Sequence, residues 1–333
     1  MMIDKIAYIE STEFCPYHNL AVEEYLLLKC QEQECILYLW QNQHTIVIGR
    51  NQNAWKECLV SRLEEEGGQL ARRLSGGGAV YHDLGNLNFT FLVRKENYNL
   101  EKQLQVIIEA VRKLGIKAEK SGRNDILADG KKFSGNAFYE QKQFCYHHGT
   151  LMVDVNIGEL SKYLTVSKDK LKSKGVDSVK SRVANLKEFI PELTVSRLKA
   201  VLRDAFEEVY GYEAAILKEA DLDQKLVRES TDKFGSKEWK YGKVLPFQFE
   251  LSQRFVWGAV TLQLQVEKGY LKQIGVYSDS MKPDIILRIP QYLKGTVYDK
   301  TALVSKFRQV EAADEQEKHI IDDIAAWFET VDL

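Results

Sequence analysis

The stretch RRLSGGGAVYHD, residues 72–83, contains two arginines, three consecutive glycines, a histidine and an aspartate. Glycines lose much backbone entropy on folding, so residues 76–78 indicate either a tight turn or a place where a ligand lies against the main chain. Glycine N–H groups can converge on an anion, and an arginine guanidinium is a forked donor suited to phosphate or carboxylate. Because side chains alternate along a strand, only one of Arg72 and Arg73 can face such an anion.

A second cluster of polar residues lies in GRNDILADGKKFSGNAF, residues 122–138. Lys131 and Lys132 follow a predicted turn, where lysines are commonly just solvated, but the small residues of SGNA leave room for a ligand beside the strand. Alternation again allows only one of the two lysines to point inward. Asp125, near the start of this stretch, could bind Mg²⁺ or a ribose hydroxyl.

Two adjacent histidines occur in YHHGT, residues 146–150. On a strand His147 and His148 point to opposite faces, so they cannot share a metal ion. We expect one histidine to join the core and His148 to face the other surface.

The lysine-rich stretch SKGVDSVKSRVANL, residues 173–186, is the last candidate. Taken alone, it is typical of a solvated basic loop. Its lysines could equally close over a polyanionic ligand or face an acidic partner protein.

The composition is that of a globular protein of 333 residues, 44% of them hydrophobic and 28% charged. A formal net charge of −2 argues against a dedicated nucleic-acid-binding protein, which usually has a basic excess. No apolar run approaches the roughly 20 residues that span a bilayer, and the N-terminus lacks the apolar core of a signal peptide. Five scattered cysteines form neither a disulfide framework nor a Cys-x-x-Cys zinc site. We therefore expect a cytoplasmic protein without nucleic-acid or membrane partners.

Hydrophobic periodicity predicts the elements that carry these residues. Helices are expected over residues 16–30, 54–66, 99–116 and 194–211. A strand is expected to lead into the loop around residues 76–78, called the glycine loop below. CILYLW and HTIVIGR, separated by a short polar turn, favour a β-hairpin that ends at Gly49. Three strands are expected between residues 125 and 155.

The pattern changes after residue 248. A β-hairpin that turns at Lys268 and Gly269 is followed by two helical patterns, from about Lys300 and about Asp314. Strands interleaved with helices, followed by this small tail, indicate an α+β protein. We predict a large domain over residues 1–248 and an accessory domain over residues 249–333.

Taken together, several of these segments resemble the lipoate–protein ligase A family: RRLSGGGAVYHDLGN, GRND, KKFSGNA, HHGTL and SVKSRVANL, in that order. Some of these motifs are weak individually, whereas five of them in register are highly specific. The resemblance covers roughly residues 1–250, and the tail has the size of the family's accessory domain. It implies a catalytic domain with the fold of class II aminoacyl-tRNA synthetases and biotin–lipoate ligases, followed by a small α+β C-terminal accessory domain.

The resemblance also implies a two-step reaction that uses ATP and Mg²⁺. The carboxylate of lipoate attacks the α-phosphorus of ATP, which gives lipoyl-AMP and pyrophosphate. A lysine of an acceptor lipoyl domain then takes the lipoyl group and releases AMP. The family's acceptors are E2 subunits of 2-oxoacid dehydrogenases and the glycine cleavage H protein.

The family's motifs, carried onto this sequence, imply roles for particular residues. Lys132, directly before FSG, is the implied catalytic residue, which touches both the lipoyl carbonyl and the α-phosphate. The residues implied in ATP and adenylate binding are Arg73, Gly76, Gly77, Gly78, Ala79, Val80, Tyr81, Asn124, Asp125 and Lys132. Those implied in lipoate binding are Ser75, His82, Lys132, Gly135, His148 and Gly149. Asp125 is the metal candidate, and residues 174–185 fit the family's adenylate-binding loop.

Two other functions remain open from the sequence. The nearest is a cysteine-independent lipoyl or octanoyl transferase, or an amidotransferase, of the same fold; related transferases typically carry a cysteine nucleophile where this chain has SGRNDILAD. The other is a non-catalytic protein that stores or delivers lipoate. Such a carrier would not need a lysine shared between a carboxylate and a phosphate, so Lys132 distinguishes a ligase from a carrier.

Overall fold

The computed structural model describes residues 3–121, 125–165, 183–242 and 246–331, which divide into two compact units. The larger unit contains Met1–Val47, Trp55–Arg72 and Ala79–Lys240. The smaller unit contains Ile48–Ala54, Arg73–Gly78 and Tyr241–Leu333. The glycine loop therefore packs with the C-terminal part of the chain, although it lies in the first quarter of the sequence.

The larger unit is built on a mixed sheet that has eight strands within the described residues. In spatial order the strands are β11 (Ala214–Ile216), β1 (Lys5–Glu10), β2 (Glu34–Trp40), β6 (Asn86–Arg94), β10 (Phe144–Met152), β9 (Lys131–Gln141), β8 (Asp125–Ala128) and β7 (Ala118–Ser121). Strand β1 is parallel to both neighbours, and the pairs from β2 to β7 are antiparallel. A second, small sheet has the order β4 (Gln69–Arg72), β3 (Thr45–Ile48) and β5 (Val80–His82).

Helices cover the large sheet. In the described part of the chain up to residue 241 they are α1 (Pro16–Lys29), α2 (Ala54–Glu57), α3 (Val60–Glu65), α4 (Leu100–Lys113), α5 (Ile157–Tyr163), α6 (Val195–Tyr210), α7 (Gln224–Gly235) and α8 (Lys237–Tyr241). The side chain of Asn99 caps α4 by accepting from the Lys102 N–H, and Gly211 ends α6 with φ 80°. The apolar faces of α4 and α6 join the main core cluster of the sheet, for example through Ile107 and Phe206.

The C-terminal part of the smaller unit has its own core. The antiparallel strands β12 (Phe249–Phe255), β13 (Gly258–Glu267) and β14 (Tyr270–Ser278) precede α9 (Pro283–Leu293), α10 (Lys300–Phe307) and α11 (Glu315–Glu329). Buried residues of these strands and helices form one cluster, which includes Leu262, Ile289 and Phe328.

The α+β class is confirmed, and so are most of the predicted elements. The helices at α1, α4 and α6, the three strands β8 to β10 and the turn at Lys268 and Gly269 lie where the sequence predicts them. The helix expected over 54–66 is interrupted between Glu57 and Val60. The predicted hairpin of CILYLW and HTIVIGR is wrong: β2 pairs with β1 and β6, whereas β3 pairs in the other sheet. Strand β12 and helix α9 were not predicted.

Within the described residues, no helix combines the length and the apolar character that crossing a membrane requires.

Candidate functional site

Lys132 on β9 forms an ion pair with Asp125 on β8. The Nζ–Oδ1 distance is 2.7 Å, and each side chain is about one-third exposed. A shift in register between Ile126 and Leu127 interrupts the pairing of β8 with β9 just where these side chains meet. The neighbouring Lys131 takes a different direction and pairs with Glu188 at 3.4 Å. Of the two lysines, Lys132 is thus the one held beside the small residues of SGNA, residues 134–137.

Gly135 leaves the space that the Lys132 ammonium occupies. A Cβ on Gly135 would lie 3.0 Å from Lys132 Nζ. Gly149 on β10, which pairs with Asn136, packs still more closely, because a Cβ there would lie 2.6 Å from the Gly135 carbonyl oxygen and 2.6 Å from the Phe89 ring. The sequence-predicted residues Asp125, Lys132, Gly135 and Gly149 therefore come together on three neighbouring strands.

Asp125 is also the predicted metal ligand, and the structure gives its carboxylate another partner. The Lys132 ammonium would compete with a cation for Oδ1. Mg²⁺ in nucleotide sites commonly takes one or two carboxylates and completes its shell with phosphates and water. The single carboxylate of Asp125 is compatible with such a site. No cluster of three or more His, Cys, Asp or Glu able to hold a metal occurs within the described residues. Asn124 and most of the predicted loop 174–185 lie outside those residues.

The side chain of His148 on β10 belongs to a series of buried, hydrogen-bonded polar side chains. Its Nδ1 is 2.8 Å from Glu23 Oε1, which also accepts from the Thr90 hydroxyl at 2.7 Å. The Trp40 indole N–H donates to the same Thr90 hydroxyl at 3.0 Å. Because Glu23 accepts from the ring, the Nδ1 of His148 carries a proton and the orientation of the imidazole is set.

Glu23, the buried partner of the predicted site residue His148, was missed by the sequence analysis. It lies on α1 with 1% exposure, between Leu20 and Leu26 on the apolar face of that helix. A carboxylate at an apolar-face position of an amphipathic helix is expensive to bury unless it is paired. That position was the available signal for a buried partner.

His82 on β5 is oriented by a chain of amides. The Asn19 amide donates to Asn42 Oδ1 at 3.0 Å, so the amide nitrogen of Asn42 faces His82 Nδ1, at 3.1 Å. Nδ1 of His82 must then accept, which places the ring proton on Nε2. The ring also meets Trp40 edge-on, with centroids 6.2 Å apart. Trp40 thus connects the surroundings of His82 with those of His148.

His147 takes the opposite face of β10, as strand alternation predicts. It is fully buried against Phe91 and Phe138, and its Nε2 lies 2.8 Å from Asn136 Oδ1. Burial lowers the pKa of His147 to about 3, with a smaller contribution from His148. The imidazole is therefore neutral and belongs to the core.

In the smaller unit, Arg73 organises the glycine loop. Its guanidinium donates to the carbonyls of Gly76 at 2.7 Å and Gly78 at 2.8 Å, and its Nε donates to the Ser75 hydroxyl at 3.0 Å. The main chain of Ser75 accepts from the Arg50 N–H. The predicted residues Arg73, Ser75 and Gly76 to Gly78 thus form one connected turn.

The three glycines have different neighbours. A Cβ on Gly76 would lie 2.1 Å from the Ser280 carbonyl oxygen, and the Gly77 N–H donates to that oxygen at 3.3 Å. Gly77 also has φ 90°, which side chains rarely adopt. A Cβ on Gly78 would meet nothing within 4 Å. Gly76 and Gly77 are thus required by chain packing, and Gly78 is the glycine with open space beside it.

Arg72 has a structural role in the larger unit. It donates to the carbonyls of Trp239 and Lys240, and the Trp239 indole N–H donates back to the Arg72 carbonyl at 2.8 Å. The prediction that the two arginines diverge is confirmed.

Ala79, Val80 and Tyr81 continue from the loop into β5 of the larger unit. Val80 and Tyr81 pair with Val47 and Ile46 of β3. The buried Tyr81 ring stacks on Tyr163 with centroids 6.2 Å apart. Tyr163 in turn hydrogen-bonds Glu66 and lies 3.0 Å from His44 Nε2, so the end of α5 is fixed beside β5.

The cysteines offer poor nucleophiles. Burial raises the pKa of Cys35, Cys58 and Cys145 to about 12 each, and it also raises the pKa of Cys30. A thiol with such a pKa is protonated at neutral pH and is a weak nucleophile. Cys15, half-buried at the start of α1, lies far along the chain from the GRND segment.

Comparison with known proteins agrees with these features. Residues 15–207 match the family model of the lipoyl protein ligase A/B catalytic domain, and residues 245–328 match that of the bacterial lipoate protein ligase C-terminus. The chain is 38% identical to the lipoate-protein ligase A of Psychrobacter cryohalolentis (97% of this chain, 98% of the relative) and 36% identical to that of Bdellovibrio bacteriovorus (98% of each).

Solved structures agree as well. Plasmodium falciparum LipL1 in complex with lipoate superposes with a TM-score of 0.85 at 28% identity, covering 98% of this chain and 100% of the other. A lipoate-protein ligase A bound with ATP gives a TM-score of 0.64 at 26% identity, covering 73% and 100%. The chain therefore belongs to the lipoate–protein ligase A family.

Proposed function

We propose that this protein is an ATP-dependent lipoate–protein ligase that makes lipoyl-AMP and then transfers the lipoyl group to a lysine of acceptor lipoyl domains. The observation that carries the proposal is the placement of Lys132, whose ammonium is held over Gly135 by Asp125. The relatives named above act on or bind lipoate and ATP, which supports the same substrates here.

In the first step, Lys132 reduces the repulsion between two anions. The lipoate carboxylate must approach the α-phosphate, and a preorganised ammonium between them stabilises the charge that develops on phosphorus. An ammonium has three donors, so Lys132 can bind oxygens of both groups while it leaves or shares Asp125. The ion pair with Asp125 keeps the ammonium localised before the substrates arrive.

The other predicted residues position the substrates. The open space beside Gly78 lets the nucleotide lie against main chain, and Arg73 fixes the shape of that turn. His82 and His148, each oriented by buried partners, provide polar contacts in the lipoate site. Mg²⁺, with Asp125 as a protein ligand, would neutralise the pyrophosphate that leaves.

We further propose that the acceptors are E2 subunits and the glycine cleavage H protein, and that the protein works in the cytoplasm. The resemblance of the motifs supports this acceptor class. The boundary at residue 248 between a catalytic and an accessory domain belongs to the same proposal.

The proposal is tested by incubating the full-length protein with lipoate, an apo lipoyl domain, ATP and Mg²⁺, and measuring the intact mass of the acceptor. We expect one lipoyl group to be added, only when ATP is present. Acyl transfer from an octanoylated donor protein without ATP would instead identify a transferase and refute the proposal.

Lys131→Ala is the matched control for Lys132→Ala. We expect Lys132→Ala to lose at least about a hundredfold in lipoyl-AMP formation, since a donor to the transition state is removed. Lys131, paired with Glu188 on the surface, should be dispensable. Near-normal adenylate formation by Lys132→Ala would show that this lysine is not catalytic.

A further inference from the structure

Strand β12 lies at the edge of the three-stranded sheet of the smaller unit, and its sequence suits antiparallel pairing with a second copy of the same strand. Within the described residues, β12 pairs with β13 on one side only, and it ends the three-stranded sheet. Its residues are mostly exposed, with Phe249 45% exposed, and Val256 at its end is fully exposed. An exposed edge presents main-chain donors and acceptors that another strand can pair with.

The sequence of β12, FELSQRF, is complementary to its own reverse. When two copies are aligned antiparallel about Ser252, Glu250 of each copy lies opposite Arg254 of the other. On the opposite face of the strand, Phe249 lies opposite Phe255. Opposite charges and aromatic pairs directly across an antiparallel ladder are both stabilising.

The hydrogen-bonding pattern allows this register. In an antiparallel ladder alternate residues direct both main-chain groups to the same neighbouring strand. Alignment about Ser252 pairs residue 250 with 254 and 252 with itself. Residues that direct their main-chain N–H and C=O groups to the free edge therefore face residues that do the same. The two three-stranded sheets would join into one continuous sheet of six strands with a twofold axis at Ser252.

The charged side chains at the edge are exposed, as such a pair requires. The Arg254 side chain is 48% exposed, and its guanidinium lies 3.6 Å from the carboxylate of Asp279, whose side chain is 15% exposed. Glu250 is exposed and accepts from Gln263 at 2.8 Å on the neighbouring strand, which orients the carboxylate.

We propose that β12 is a self-association site at which a second copy of this chain adds antiparallel through Glu250 and Arg254. One strand from each copy buries less area than a standard interface, so the dimer should form reversibly with concentration. None of the residues involved belongs to the ligase site.

The first test is sedimentation velocity of the full-length protein over a wide range of concentrations, with Glu250→Arg as the variant. In that variant two arginine side chains would face each other at each end of the pairing, and we expect dimerisation to weaken by about tenfold or more. Glu311→Arg, the same charge change at an exposed position outside β12, is the control and should associate as the wild type does.

The second test is Ser252→Cys, which places two thiols opposite each other on the twofold axis. Opposite Cβ atoms in a ladder lie within reach of a disulfide, so we expect rapid covalent dimerisation under mild oxidation. Ser305→Cys, on the exposed face of α10, should cross-link far less. A wild-type protein that stays monomeric at all concentrations, or a dimer indifferent to Glu250→Arg, would overturn the proposal. Loss of acceptor-domain binding in Glu250→Arg, with a monomeric wild type, would assign the edge to the acceptor and overturn it too.

Discussion

Lys132 and Asp125 form an ion pair across β9 and β8, and Gly135 lies directly beneath the ammonium. The pair combines a residue expected to bind two anions with a residue expected to bind a cation. Asp125 therefore has two possible contributions, as the counter-ion of Lys132 and as a ligand of Mg²⁺, and they are separable by experiment.

Asp125→Asn removes the counter-ion and keeps the size of the side chain. Loss of the ion pair should raise the KM for lipoate by about fivefold, in keeping with a partly exposed ion pair. The Mg²⁺ concentration needed for adenylation should rise as well, because Asp125 is proposed as a ligand of the ion. Adenylate formation is followed by pyrophosphate release across a Mg²⁺ titration. A variant with the Mg²⁺ requirement of the wild type would limit Asp125 to the role of counter-ion.

Gly76→Ala and Gly78→Ala separate packing from ligand contact in the glycine loop. The Cβ at residue 76 would lie 2.1 Å from a main-chain oxygen, so we expect a loss of about 2–3 kcal/mol in the free energy of unfolding. The Cβ at residue 78 meets nothing within 4 Å, and stability should change by less than about 0.5 kcal/mol. Gly78→Ala should raise the KM for ATP, because the methyl group occupies the space proposed for the nucleotide. Urea unfolding and ATP titration measure the two effects; an unchanged KM for ATP would place the nucleotide elsewhere.

Gly135→Ala and Gly149→Ala form a second pair on β9 and β10. The new methyl group at residue 135 would press on the flexible end of Lys132 and make ordinary contact with the Thr150 hydroxyl at 3.8 Å, so the fold should persist while adenylation slows by about tenfold as the ammonium shifts. At residue 149 the methyl group would meet a carbonyl oxygen and the Phe89 ring, both at 2.6 Å. That variant should lose about 2–3 kcal/mol of stability. Equal stability losses in the two variants would contradict this distinction.

His147 should make the protein less stable in mild acid. Its pKa is about 3 in the folded protein and 6.5 without burial, so the unfolded chain binds the proton more readily between these values. Stability is therefore fully present above pH 6.5 and falls as the pH decreases. The loss between pH 7.5 and pH 5 is about 2 kcal/mol for this one group.

His147→Gln keeps a donor to Asn136 and does not titrate in this range. Urea midpoints of the two proteins at pH 7.5 and pH 5 give the comparison. The variant should lose less stability than the wild type on acidification, and an equal loss in both would refute the assignment.

The local pattern of the sequence determined most of the elements and the chemical types in the site. Periodicity located α1, α4 and α6, because an amphipathic helix must present an apolar face whatever it packs against. Strand alternation correctly separated Arg72 from Arg73, Lys131 from Lys132 and His147 from His148, since the period of two is a local property of the backbone. The order of the motifs identified the family.

Tertiary structure decided which elements meet. β2 and β3 are neighbours in sequence and were predicted to pair, but each finds its partners in a different sheet, because pairing depends on strands that are distant along the chain. The burial of Glu23 beside His148 and the contact of Gly76 with Ser280 join residues more than a hundred positions apart, which no local pattern encodes. The three glycines illustrate the division. Their sequence predicts an exceptionally close approach to the main chain, and the fold determines that Ser280 makes it at Gly76 and Gly77 while Gly78 keeps the open space.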